Sequence, residues 1–146
     1  MKYKSVTILM ADDDPDDRLL TEDALKEARL ANEIRFVENG EELLQYLRHQ
    51  GKFADKTLHP RPGIILLDLN MPKMDGREAL QLIKSDPDLR RIPVIIMTTS
   101  KADQDILKSY DLGANSYVTK PVTFDELVAV VRRPGQHSFE IVALPD

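Results

Sequence analysis

Two uninterrupted apolar runs, Ile64-Ile65-Leu66-Leu67 and Val94-Ile95-Ile96-Met97, constrain this chain more than any other feature. A strand with one wet face alternates apolar and polar residues. A run with no polar position reads as a strand covered on both faces, which means a parallel sheet between helices. Shorter β-rich runs stand at Val6–Met10, Ile34–Val37 and Tyr117–Thr119. Between the runs, apolar residues recur at helical spacing. Leu19, Leu20, Ala24, Leu25 and Ala28 predict a helix from Pro15 to about Leu30, and Leu43, Leu44 and Leu47 a second. Ala79, Leu80 and Ile83 mark a third, ending near Ser85-Asp86-Pro87. Ile106, Leu107 and Tyr110 mark a fourth that stops at Gly113, a residue suited to the position just past a helix end. Thr123-Phe124-Asp125-Glu126 is a capping box that opens a fifth, through Val131. Asp14 before Pro15 reads as an N-cap with proline at the first helical position, and Asn39 as a second cap. His49 to Pro62 reads as a long loop.

Strands alternating with helices predict an α/β chain, doubly wound, with right-handed crossovers and helices on both faces of the sheet. The 146 residues suit one domain, here 1–131, with 132–146 as a C-terminal extension of it. Twenty Lys+Arg against 25 Asp+Glu gives a net charge of −5, which argues against a nucleic-acid footprint. The absence of Cys excludes disulfides and thiolate zinc sites. No apolar run approaches the ~20 residues of a membrane span, and Met1–Ser5 does not open a signal peptide, so a cytoplasmic location is expected.

In an open α/β sheet the ligand site lies beyond the carboxyl ends of the strands. The first strand runs into Asp12 and Asp13, the third into Asp68, the fourth into Thr98 and Thr99, and the fifth into Lys120. If the order is 2-1-3-4-5, strands one and three are neighbours ~4.8 Å apart, and three carboxylates meet in one pocket. Such a cluster needs a cation, and a hard divalent ion held by few carboxylates and several waters points to Mg²⁺. Lys120 stands two strands from Asp68, roughly 10 Å at the Cα atoms, within reach of a lysine stem. Thr98 offers a hydroxyl on the strand between. A carboxylate flanked by a metal, an ammonium and a hydroxyl suits phosphoryl transfer with the aspartate as nucleophile. Taken singly, the acids from Asp12 to Asp17 would only favour a helix N-terminus, and Lys120 would be a surface lysine. Taken in strand order on one rim, they read as a site.

These residues resemble the response-regulator receiver domain of two-component signalling. The resemblance runs from Val6 to Val131. It rests on Asp12-Asp13, the segment Asp68-Leu69-Asn70-Met71-Pro72-Lys73-Met74-Asp75-Gly76, Thr98, and Thr119-Lys120-Pro121. It implies a (βα)5 fold with a five-stranded parallel sheet of order 2-1-3-4-5. It also implies that Asp68 accepts a phosphoryl group from a histidine kinase and that a phosphorylation-driven switch carries the signal. Asp13, Asp68 and the main-chain carbonyl of Asn70 would bind Mg²⁺, with Asp12 acting largely through water. Thr98 and Lys120 would bind the phosphoryl oxygens, Tyr117 would rotate inward as Thr98 moves, and the Lys120-Pro121 bond would be cis. The long loop His49–Pro62 and the tail Phe139–Pro145 resemble the stand-alone regulators that partner bacterial phytochromes, which makes a phytochrome kinase an expected partner. A histidine phosphotransfer protein is a further expected partner.

Two other readings compete. A phosphohydrolase of the haloacid-dehalogenase type also forms an aspartyl phosphate, but it needs Asp-x-Asp, and Asp68-Leu69-Asn70 lacks the second acid. A receiver that is never phosphorylated would not need the intact acid pair, Asp68, Thr98 and Lys120. His49, His59 and His137 have no metal-ligand spacing and read as surface or loop residues. The apolar tail residues Phe139, Ile141, Val142 and Leu144 either fold back on the domain or join a symmetric homodimer, and the dimer is the expectation taken here.

Overall fold

A computed structural model describes residues 7–27, 32–69, 71, 73–99, 102, 114, 116–120, 122 and 125. The expected helices over 106–113 and 123–131 (Asp125 apart), the extension 132–146, Asn70, Pro121 and His137 lie outside the described residues. Within them the order is β1 (Thr7–Ala11), α1 (Pro15–Glu27), β2 (Ile34–Val37), α2 (Gly40–Leu47), β3 (Pro62–Asp68), α3 (Gly76–Ser85), β4 (Val94–Thr98) and β5 (Ser116–Thr119). The sheet order is β2-β1-β3-β4-β5, and every pairing is parallel. The predicted fold and strand order are those observed.

The apolar runs work as their patterning requires. In β3, Ile64 and Leu66 face one side with Ile8, Met10, Ile95 and Met97, and Leu25 of α1 covers them. Ile65 and Leu67 face the other side with Leu9, Ile96 and the α2–α3 residues Leu43, Leu47, Leu80 and Ile83. Each fully buried Leu or Ile contributes about 1.5–3 kcal/mol relative to exposure. Two cores therefore clamp one sheet, and strand β3 has a stake in both.

The helix signals hold at atomic level. Asn39 Oδ1 accepts the Glu42 amide at 2.8 Å and caps α2. Asp14 Oδ1 accepts the Asp16 amide at 2.9 Å, and the Asp14 carbonyl accepts the Arg18 amide, so Asp14 starts α1. Asp75 caps α3 through the Glu78 amide at 3.0 Å, a third cap beside the two expected.

The long loop expected after α2 is present and holds local order. Strand β3 begins at Pro62, where a missing amide costs no ladder bond. A short 3-10 turn spans Gly51–Phe53. Tyr46 is buried, and its hydroxyl donates to the Pro60 carbonyl at 2.8 Å. Its ring lies 5.3 Å from Phe53 and 5.6 Å, edge-on, from His59. His49 Nε2 lies 2.8 Å from the His59 carbonyl. The two histidines are loop residues, as expected, and half-buried staples of it.

Candidate functional site

Parallel strands carry Asp12, Asp68, Thr98 and Lys120 to one edge of the sheet. Ala11 pairs with Leu67 and Asp68 with Met97, so Asp12 and Asp68 emerge side by side on neighbouring strands. Thr98 pairs with Thr119, and the Lys120 amide donates to the Thr98 carbonyl at 2.7 Å, which sets Lys120 one step beyond the rim. Carboxylate oxygens of Asp12, Asp13 and Asp68 lie within 4.8 Å of one another. Asp12 and Asp68 are buried and Asp13 is exposed.

Lys120 crosses the gap as expected. Its Nζ donates to Asp68 Oδ2 at 3.0 Å, to Asp12 Oδ2 at 3.0 Å and to Asp17 Oδ2 at 2.8 Å. An ammonium has three protons, and all three are committed. Desolvation would lower the Lys120 pKa, but its hydrogen bonds to Asp17, Asp68 and Asp12 hold it well above the ordinary lysine value. Asp12 is the strained member. Burial pushes its carboxyl up to about 6, against the Asp14 amide at 2.9 Å and the Lys120 ammonium, while the Asp68 charge pushes the same way as burial. The Asp12 carbonyl also accepts Arg18 Nη1 at 2.7 Å, which ties the rim to α1.

Thr98 is buried, and its hydroxyl donates to the Val118 carbonyl at a long 3.3 Å. Tyr117 is half-buried, packed against the α2–α3 side of the sheet, and pairs with Ile96. The two expected switch residues thus sit on adjacent strands. Asn70 lies outside the described residues. Asp17 was missed. It stands one helical turn after Asp13, and that i, i+4 spacing at the mouth of α1 was the available signal.

Backbone packing fixes the loop after β3. The Gly76 amide donates to the Leu69 carbonyl at 3.0 Å, and the Gly40 amide to the Met74 carbonyl at 2.9 Å. A Cβ on Gly76 would stand 2.5 Å from both the Asp68 carbonyl oxygen and Leu69 Cα. A Cβ on Gly40 would strike the Met74 carbonyl. Lys73, between these anchors, sits at φ +62°. Gly76→Ala should therefore cost about 2 kcal/mol in urea unfolding, because backbone rather than a side-chain tip must yield. A loss below about 0.5 kcal/mol, the scale of an ordinary surface change, would mean the loop is not held this way.

The donor set fits a hard divalent cation. All the available ligands are oxygens, like charges crowd together, and one of the three carboxylates faces water where Mg²⁺ could keep part of its hydration shell.

Residues 8–132 match the family described as the response regulator receiver domain. The chain belongs to the response-regulator receiver family. Receivers bind a divalent metal at this acidic pocket, accept a phosphoryl group and change conformation. A receiver of this kind is a signalling module whose partner is a histidine kinase. Response regulator Rcp1 from Synechocystis sp. is 39% identical over 138 residues, spanning 94% of this chain and 92% of that protein. The Mn²⁺-bound form of Rcp1 has been solved, with a TM-score of 0.69 at 36% identity over 94% of this chain and 99% of that one. The bacteriophytochrome response regulator AtBRR gives a TM-score of 0.82 at 38% identity over 92% of this chain and 96% of its own. The phosphorylated cyanobacterial phytochrome response regulator RcpA is 42% identical, with a TM-score of 0.69 over 88% of this chain and 90% of its own. Among the described residues, no helix is long and apolar enough to cross a membrane.

Proposed function

We propose that Asp68 is the phosphoacceptor of a cytoplasmic regulator driven by a phytochrome-class histidine kinase. The observation that carries the assignment is the three-carboxylate rim with the Lys120 ammonium 3.0 Å from Asp68 Oδ2. An Asp68 oxygen attacks the phosphorus of the kinase phosphohistidine. The P–N bond breaks, its electron pair stays on the imidazole, and an acyl phosphate forms. Asp12, Asp13, Asp68 and the Asn70 carbonyl would hold Mg²⁺, which when bound supplies positive charge against the phosphoryl oxygens. Lys120 and the Thr98 hydroxyl receive the oxygens of the transferred group. Thr98 exchanges its long bond to Val118 for one to the phosphoryl group, and Tyr117 moves into the space it leaves. Slow loss of the phosphoryl group to water resets the protein, and a histidine phosphotransfer protein serves as an onward acceptor.

The phytochrome link is supported by the relatives named above, which span most of this chain at 36–42% identity. Residues 1–131 form the receiver and 132–146 extend it, with the apolar tail contributing to a homodimer. Sedimentation of the full chain and of one ending at Arg133, with and without a phosphate mimic, tests the dimer. Monomers throughout would refute it.

The site assignment is tested with acetyl phosphate and Mg²⁺ as the only reagents. The protein should gain one hydroxylamine-sensitive phosphoryl group. Asp13→Ala should weaken Mg²⁺ binding at least tenfold and slow the gain, since a direct ligand and a charge are lost. Lys120→Ala should retain Mg²⁺ binding, tightened by the loss of a competing ammonium, and lose the coupling of phosphorylation to the switch. Unchanged Mg²⁺ affinity in Asp13→Ala would remove Asp13 from the metal site.

A further inference from the structure

One ammonium shared by three carboxylates raises the question of where Lys120 goes when a dication enters. Asp12 and Asp68 belong to the oxygen cluster that suits the metal, and each also accepts a Lys120 proton. A dication and an ammonium on the same two carboxylates repel each other. The ammonium must therefore move off these two carboxylates to make room for the ion. Asp17 is the third acceptor, at the shortest distance, 2.8 Å, and it is not part of the cluster. It projects from the first turn of α1, with its side chain 29% exposed. A cavity of about 110 Å³ opens beside it, lined among the described residues by Asp17, Leu20, Thr21 and Lys120. The helix is anchored on the same side by the Arg18–Asp12 contact.

We propose that Asp17 is a positioning residue for phosphoryl acceptance: it takes the Lys120 ammonium as Mg²⁺ enters and keeps it beside Asp68 for the incoming phosphoryl group. The proposal rests on the assignment of Asp12, Asp13 and Asp68 as the metal site. In the metal-free protein Lys120 neutralises Asp12 and Asp68. On metal binding it yields both and swings along the cavity wall, still bonded to Asp17. Without Asp17 the ammonium has no acceptor to retreat to, so it competes harder with the metal. The carboxylate thus shifts the balance from a lysine-closed toward a metal-loaded rim.

The test measures Mg²⁺ dissociation constants by calorimetry on the full chain. The variants are Asp17→Asn, Asp16→Asn, Asp13→Ala and Lys120→Ala, together with Asp17→Asn and Asp16→Asn each combined with Lys120→Ala. Asp16 is the control, an acid in the same first turn whose amide caps on Asp14. Asp17→Asn should weaken Mg²⁺ binding roughly threefold to fivefold more than Asp16→Asn, the scale of one partly exposed ion pair. In the Lys120→Ala background the two should be equal, because a carboxylate that acts through Lys120 has nothing left to act on. Equal effects of Asp17→Asn and Asp16→Asn with Lys120 present would overturn the proposal. So would an excess effect of Asp17→Asn that survives Lys120→Ala. Asp13→Ala separates the two levels: if it leaves the affinity unchanged, the metal-site assignment itself has failed.

Discussion

Asp68→Asn is expected to abolish phosphoryl uptake from acetyl phosphate while leaving the fold in place. An amide oxygen has no charge to give to phosphorus, so the nucleophile is lost outright. The surroundings are conserved by the change. Asn matches Asp in shape, its Oδ1 can still accept a Lys120 proton, and the β3 pairing with β1 and β4 uses only backbone. Intact mass spectrometry should show one added phosphoryl group on the parent protein and none on the variant, with matching thermal unfolding. Persistent labelling of the variant would move the acceptor elsewhere.

Replacing Asp12 by Asn should stabilise the metal-free protein at pH 8 by about 3 kcal/mol. Asp12 has no exposed surface, and burial raises its carboxyl from 3.8 to about 6. A pKa raised on folding contributes stability that is present in full below about 3.8 and is lost as pH rises through about 6. At pH 8 the folded protein therefore carries an ionised carboxylate it would rather protonate, at a cost of about 3 kcal/mol for a shift of this size. Asn keeps the acceptor for the Asp14 amide and removes the charge. Urea unfolding in EDTA should show the gain at pH 8 and its disappearance by pH 3.5, where both side chains are neutral. Adding Mg²⁺ should narrow the gap at pH 8, because the parent binds the ion more tightly and is stabilised by mass action. A variant less stable than the parent at pH 8 would mean that the Lys120 contact outweighs burial.

Much of this was legible because the strands are short and their ends abrupt. Ile64–Leu67 and Val94–Met97 could only be central, and the first polar residue after each had to lie on the rim. Asp68 and Thr98 follow from that alone, and Lys120 follows from counting strand spacings. Asp17 did not follow. Its spacing from Asp13 hinted at the rim, but the contact itself is with Lys120, 103 positions away, and depends on how α1 leaves the rim. The loop after α2 was underread for a related reason. Its order comes from Tyr46 and Phe53 meeting His59, residues up to thirteen positions apart on irregular backbone, with no period to betray them. The short 3-10 turn Leu89–Arg91 was likewise invisible beside the prolines that frame it.

That clipped loop has a practical side. It precedes β3, whereas the acidic rim follows it, so a seven-residue strand of roughly 20 Å separates the two. Leu58, 58% exposed, is the loop's outermost large apolar side chain. With no cysteine anywhere in the chain, Leu58→Cys would create a unique thiol on a stapled support, remote from the chemistry. A fluorophore or spin label attached there could watch the receiver switch without touching the groups that drive it.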